Sequence, residues 1–212
     1  MSSDQNSFEI LRPFGPRIIK SKIPDSIVNK LNDYVDHVVK DKKKSNELNV
    51  GNLLAGNVTQ EFSLEKDFII GSGWGDFLGQ VVSQSIKGLM KKQIKKFHIN
   101  SSWIVRQFEN EYNPLHNHSG HLSGVGYLKV PESFGGTSQD KGNRRNKNGK
   151  LVFAHGNQNF LSSALESVTP KVGEVFIFPS YLLHLVNPFY DTKEERRSVS
   201  FNALIDDDIY KN

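Results

Sequence analysis

The chain has 212 residues, of which 36% are apolar, 10% aromatic and 24% charged, a composition that fits one globular domain and lies far from that of a disordered chain. No apolar run approaches the roughly 20 residues of a membrane-spanning helix. With no cysteine present, disulfides, thiolate metal sites, iron–sulfur clusters and cysteine nucleophiles are excluded, so any metal must be held by His, Asp or Glu. The net charge of +4 is local: residues 140–150 carry Lys141, Arg144, Arg145, Lys147 and Lys150 against Asp140, and the rest of the chain is neutral.

The N-terminal MSSDQNSF lacks a basic stretch followed by an apolar one, so no secretory leader is expected and the cytoplasm is the expected compartment. Residues 8–20, with weak alternation and two prolines, read as one or two edge strands around a turn. Pro24 and Asp25 open a helix, because proline at the first helical position loses no hydrogen bond. Its apolar stripe is Ile27, Val28, Leu31, Tyr34, Val35 and Val38, and Lys40–Lys44 end it in solvent. Residues 46–73 read as a long irregular connection. A second helix is expected over 74–96, with Trp74, Phe77, Leu78, Val81, Val82, Leu89 and Met90 on one face. Lys87, Lys91, Lys92, Lys95 and Lys96 then form its solvated side.

From residue 97 the pattern changes to short β-rich runs at 101–108, 122–130, 150–154, 174–178 and 198–204, separated by turn-forming clusters. The expected architecture is mainly β, an antiparallel sandwich or barrel braced by N-terminal helices. The whole of 1–212 reads as one domain. Residues 1–97 supply strands and bracing helices, and 98–206 supply the core.

Histidines are the scarce chemical resource. Of seven, three fall in NPLHNHSGHLSG. His116 and His118 are one residue apart, so in extended chain they share a side, which suits two cis ligands of one metal ion. A third ligand must come from a distant strand, and His184, after the run GEVFIFPSYLL, is the best placed. The alternative for it is packing between Leu183 and Leu185. His37 and His98 belong to the helices, His155 follows a strand, and His121 either points outwards or supports a ligand through a hydrogen bond.

In Glu195–Asn202, alternation places Arg196, Ser198, Ser200 and Asn202 on one side, and Arg197, Val199, Phe201 and Ala203 on the other. A wholly polar face inside a small barrel is costly unless it meets a polar ligand. An arginine with a serine two positions on suits a carboxylate, which favours Arg196 over Arg197 as the anchor. Surface pairing of both arginines with Asp191, Glu194 or Glu195 is the competing reading.

These pieces in this order resemble a known family. The His-x-His pair, the strand SGVGYLKVP, the strand GEVFIFPS, the distal His184 and the Arg196-x-Ser198 unit are similar to those of 2-oxoglutarate- and Fe(II)-dependent oxygenases. More narrowly, they resemble the short oxygenases of tailed phages and marine bacteria, for which the compartment would be the host cytoplasm. The likeness covers roughly 101–204. It implies a double-stranded β-helix (a jelly roll), with His116, His118 and His184 facing Fe(II) and Arg196 with Ser198 holding the distal carboxylate of the co-substrate 2-oxoglutarate. It also implies hydroxylation of a substrate C–H bond coupled to decarboxylation of 2-oxoglutarate to succinate. One departure is plain: the superfamily usually has Asp or Glu where this chain has His118, and Glu109 and Glu111 precede the pair without being placed to replace it.

Two rival functions follow from the same residues. One is a cupin-like three-histidine metal enzyme that uses no keto acid. The other is a non-catalytic jelly-roll binding module. The substrate, a small molecule or a protein, is not legible. The basic 140–150 loop would suit an anionic partner, and its lack of interleaved aromatics argues against base stacking.

Overall fold

The structure is a computed structural model that describes residues 14–136 and 146–211. Its elements in chain order are β1 (Ile19–Lys22), α1 (Asp25–Lys40), α2 (Lys42–Leu48), a 3-10 turn at Gly51–Leu53, β2 (Gln60–Ser63), α3 (Lys66–Ser72), α4 (Trp74–Met90), β3 (Phe97–Gln107), β4 (Asn113–His116), β5 (Leu122–Lys129), β6 (Leu151–Ala154), β7 (Leu165–Val168), β8 (Glu174–Pro179), β9 (Leu183–Val186), β10 (Arg196–Ile205) and α5 (Asp207–Tyr210). The strands form two antiparallel sheets. The larger has the order β1-β8-β5-β10-β3-β2 and the smaller the order β4-β9-β6-β7. This is the double-stranded β-helix expected from the resemblance.

The larger sheet separates two environments. Its outer face buries Ile104, Val175, Ile177, Val199, Phe201 and Ala203 against Leu31 and Val35 of α1 and Trp74, Leu78 and Val82 of α4. Its inner face looks across to the smaller sheet, where Phe178 packs with Leu151, Phe153, Leu182 and Val186. Each strand of the larger sheet therefore has two buried faces, one apolar against the helices and one facing the space between the sheets. Close approach on the helix side needs a missing side chain on β5. A Cβ built at Gly124 would lie 2.4 Å from Phe201 Cε1, and one at Gly126 would lie 2.6 Å from Ile23 Cδ1.

Several expectations for the N-terminal half are corrected. The chain between 46 and 73 is not irregular: α2, the 3-10 turn, β2 and α3 occupy much of it. These elements are three to seven residues long, too short for an apolar period to register. Lys40 does end α1, but Lys42–Lys44 open α2, where Asp41 Oδ1 accepts from the N–H groups of Lys43 and Lys44 at 3.0 and 3.1 Å. The second long helix stops at Met90, where Lys91 takes a left-handed φ of 58°. Its buried stripe is Trp74, Leu78, Val82 and Ile86. Leu89 and Met90, expected on that face, are exposed, both lying in the helix's last turn, past the last buried residue, Ile86. Lys91, Lys92, Lys95 and Lys96 therefore lie beyond the helix. The N-terminal segment also contributes to the sheet: β1 pairs with β8 and β2 pairs with β3. Of the basic loop, residues 140–145 lie outside the described residues. Among the described residues, no helix is long and apolar enough to cross a membrane.

Candidate functional site

The three predicted histidines converge. His116 ends β4 and faces His184 of β9 across the smaller sheet, the two residues being register partners. The chain then leaves the sheet, and the His118 N–H donates to Ser180 O at 3.0 Å, which fixes His118 beside the turn between β8 and β9. Ring centroids are 4.9 Å apart for His116–His118, 4.4 Å for His116–His184 and 5.1 Å for His118–His184. One nitrogen from each ring lies within 4.8 Å of the others, and among the described residues no other group of His, Asp and Glu meets that closeness.

Hydrogen bonds orient two of these rings. Nδ1 of His116 lies 2.7 Å from Pro114 O, and Nδ1 of His184 lies 2.8 Å from Leu182 O. A carbonyl can only accept, so each Nδ1 carries the proton and each Nε2 is left with its lone pair. This is how metal-binding imidazoles are commonly supported. Burial pushes the pKa of His118 down to about 3, with His184 and His116 adding to the effect. Burial likewise pushes His184 down to about 4, against the opposing Leu182 hydrogen bond. Neutral, mutually facing imidazoles fit a divalent cation and would repel one another if protonated.

A pocket of about 550 Å³, including its open mouth, contains all three histidines together with Arg196 and Ser198. Arg196 is 1% exposed. Its Nη1 donates to Gln107 Oε1 at 3.1 Å, and Gln107 is in turn held by donating to Glu111 O and Asn187 O. Nε and Nη2 of Arg196 have no partner, nor has the hydroxyl of Tyr127, whose ring lies 5.1 Å from the guanidinium carbon. Three orphaned donors side by side in a buried place are costly unless a ligand satisfies them. A carboxylate does so, accepting from the arginine fork and from the hydroxyl.

Arg197 points the other way, as alternation predicts. It donates to Asp36 Oδ1 at 2.7 Å, to Asn32 Oδ1 at 3.0 Å, and to both oxygens of Glu195 at 2.5 and 3.0 Å. The pairing with Glu195 that competed as an explanation thus holds for Arg197 and not for Arg196.

The remaining histidines lie elsewhere. His121 Nδ1 accepts from the Ile205 N–H at 3.1 Å and its ring stacks on Tyr210, so it fastens the C-terminal turn. His155 lines a separate pocket near Ile18 and Leu165. His37 Nδ1 donates to Asp33 O within α1, and His98 lies on β3 outside the site. Glu109 and Glu111 are committed to backbone: Glu109 accepts from the Asp191 N–H, and Glu111 accepts from Thr59 and the Phe108 N–H.

Three residues at or beside the pocket escape sequence reasoning. Tyr127 belongs to an apolar-looking strand, and only its register with Ser198 reveals its place beside Arg196. Trp103 packs 5.7 Å from His118. Glu61 also lines the pocket, from β2, a four-residue strand with no readable alternation.

Residues 101–202 match the family described as "Putative 2OG-Fe(II) oxygenase", just under half of the chain. No curated protein matches in sequence. A prolyl-4-hydroxylase from Pseudomonas putida is 17% identical, with a TM-score of 0.56 over 87% of this chain and 91% of its own. A Trichoplax adhaerens prolyl hydroxylase, solved with a hypoxia-inducible-factor peptide fragment, is 14% identical, with a TM-score of 0.57 over 93% and 86%. HygX from Streptomyces hygroscopicus, solved with nickel and 2-oxoglutarate, is 10% identical, with a TM-score of 0.57 over 89% and 82%. At such identities these structures share the fold. The family match spans the sequence from β3 into β10, within which the three histidines, Tyr127 and Arg196 all fall, so this stretch of the chain is similar in sequence to the 2-oxoglutarate- and Fe(II)-dependent oxygenases.

Proposed function

We propose that this chain hydroxylates a C–H bond of its substrate, R–H + O₂ + 2-oxoglutarate giving R–OH + succinate + CO₂, with His116, His118 and His184 holding the iron. Bound there, Fe(II) supplies the redox chemistry that activates oxygen, which no side chain of this protein can supply. The protein's own contribution is binding and orientation. The Nδ1 hydrogen bonds to Pro114 O and Leu182 O fix the two rings and leave the Nε2 lone pairs of His116 and His184 available to a metal. Arg196, seated by Gln107, receives the distal carboxylate of 2-oxoglutarate together with the hydroxyls of Tyr127 and Ser198. The enclosing apolar groups Val125, Leu151 and Phe178 limit water around the reacting atoms.

The observation that carries this reading is the buried Arg196, with two unpartnered N–H groups in the same pocket as the three imidazoles. A keto-acid-independent three-histidine enzyme, or a binding module, has no use for such an anchor. Wild-type protein supplied with Fe(II), ascorbate and 2-oxoglutarate under air is expected to release succinate. In Arg196→Ala the affinity for 2-oxoglutarate is expected to fall about a hundredfold or more, the scale of losing charge-assisted hydrogen bonds to a buried carboxylate. Absence of succinate together with absence of 2-oxoglutarate binding in the wild type refutes the proposal.

A further inference from the structure

Glu61 is 2% exposed and lines the pocket of the three histidines, yet no hydrogen bond or ion pair to its carboxyl is formed among the described residues. The strand register places it. Glu61 is the partner of Val105 on one side of β3, and Ser198 is the partner of Val105 on the other. Paired residues share a face, so Glu61, Val105 and Ser198 form one row across the pocket floor. With strands about 4.8 Å apart, Glu61 lies two strands, or about 10 Å, from the serine beside the carboxylate anchor. Trp103, which packs against His118, occupies the neighbouring inward-facing row of β3. The carboxyl therefore sits beside the 2-oxoglutarate position, where a second molecule would lie.

The one charged group that acts noticeably on Glu61 is another carboxyl, Glu111. Glu111, also buried, accepts three hydrogen bonds from Thr59 and Phe108. Neither carboxylate has a Lys or Arg partner among the described residues. Arg106, the nearest arginine in sequence to that register position, points to the opposite face and binds Gln60 and Glu195. Burial, with Glu111 second, raises the pKa of Glu61 to about 7, the behaviour of a carboxyl lacking a cation. A second metal ion does not explain it, since the only group of metal-binding closeness among the described residues is the histidine trio. A buried carboxylate that faces a pocket and has no cation in contact with it, Arg196 lying on the far side of the pocket floor and serving the co-substrate, is a receptor for an organic cation that brings its own hydrogen-bond donors.

We infer that Glu61 is the specificity-determining residue of this oxygenase and receives an ammonium or guanidinium group, so that the molecule oxidised carries a basic group. This rests on the oxygenase reading above. The test is calorimetric titration, without oxygen, of protein loaded with Mn(II) and 2-oxoglutarate. The probes are Nα-acetyl-arginine amide and Nα-acetyl-lysine amide against the neutral acetyl-citrulline amide and acetyl-norleucine amide. Free arginine and free lysine form a second arm, which separates a peptide side chain from a free amino acid as the source of the cation.

At least one basic probe is expected to bind wild type about tenfold or more tighter than its neutral counterpart. The preference is expected to vanish in Glu61→Gln and to survive in Glu61→Asp, which keeps the charge. Equal binding of basic and neutral probes, no binding of any basic probe, or an undiminished preference in Glu61→Gln overturns the inference. These outcomes differ from failure of the oxygenase reading, which shows as a wild type that neither binds 2-oxoglutarate nor forms succinate.

Discussion

Arg196 and Arg197 are adjacent, equally buried at 1% exposure, and divided in role by the alternation of a strand. Arg197 has every guanidinium nitrogen in use, joining Asn32 and Asp36 of α1 to Glu195. Arg197→Ala removes the closest cation from Asp36 and one of the two arginines that hold Glu195, and the expected cost is about 3 kcal/mol, the scale of breaking a buried ion pair by removing one member. Denaturant unfolding should show that loss while the KM for 2-oxoglutarate stays within threefold of wild type. Arg196→Ala should do the reverse, with little loss of stability and a large loss of 2-oxoglutarate affinity. If the two variants exchanged these effects, the assignment by strand parity would be wrong. The histidines permit a test without turnover. A ligand bound only by the folded state, at 100 times its dissociation constant, stabilises by about 2.7 kcal/mol. For a chain of this size that raises Tm by about 5–10 °C. Mn(II) should produce such a shift in wild type and none in His184→Ala, and an equal shift in both would place the metal elsewhere.

At the scale of elements, legibility followed the length and contrast of each pattern. The His-x-His pair and the polar face Arg196–Ser198–Ser200 could be read because alternation within one strand is a local property, and both proved to face the same pocket. The strands β3, β5, β6, β8 and β10 and the helix α1 could be read from their apolar runs and spacing. The strand β2 could not. In Gln-Glu-Phe-Ser only one residue is apolar, and what makes it a strand is pairing with β3 more than forty positions later, so Glu61 stayed hidden with it. Tyr127 was hidden for a different reason: an aromatic within an apolar strand signals core, and its partner Arg196 lies 69 positions away. Gly124 shows what such long-range constraints cost when broken. A methyl at this position would meet both Phe201 and, at 2.8 Å, Phe176 O, and backbone cannot give way as a flexible side chain can. Gly124→Ala is expected to lower stability by about 1–3 kcal/mol, the range of overpacked cores, as a drop in the denaturation midpoint. A midpoint equal to that of wild type would mean that the Phe201 ring is freer to move than its full burial implies.

Across the whole molecule, one ionic network joins the helix layer to the larger sheet. Glu195 accepts from Arg106 Nε at 2.8 Å and Nη2 at 2.9 Å, and from Arg197 on its other side. Arg106 continues to Gln60 on β2, and Arg197 to Asp36 on α1. Four separate stretches of chain, α1, β2, β3 and the start of β10, are therefore tied together at one end of the fold by a network centred on a single carboxylate. Burial alone would raise the pKa of Glu195, but the hydrogen bonds from Arg106 and Arg197 hold it down to about 2. In the unfolded chain the group titrates near its ordinary value of 4.5. Because the folded value is the lower one, the unfolded state binds more protons between them. The stabilisation is then complete above pH 5 and is lost as the pH falls through 4.5 towards 2. The difference corresponds to about 3 kcal/mol when fully expressed, and with only 12% of the side chain exposed little of it is screened. Glu195→Gln should thus be less stable than wild type by about that amount at pH 7, with the gap closing steadily as urea midpoints are measured from pH 5 down to pH 3. A gap independent of pH over that range would show that Glu195 acts through shape and hydrogen bonding, with its charge contributing nothing to holding the helices on the sheet.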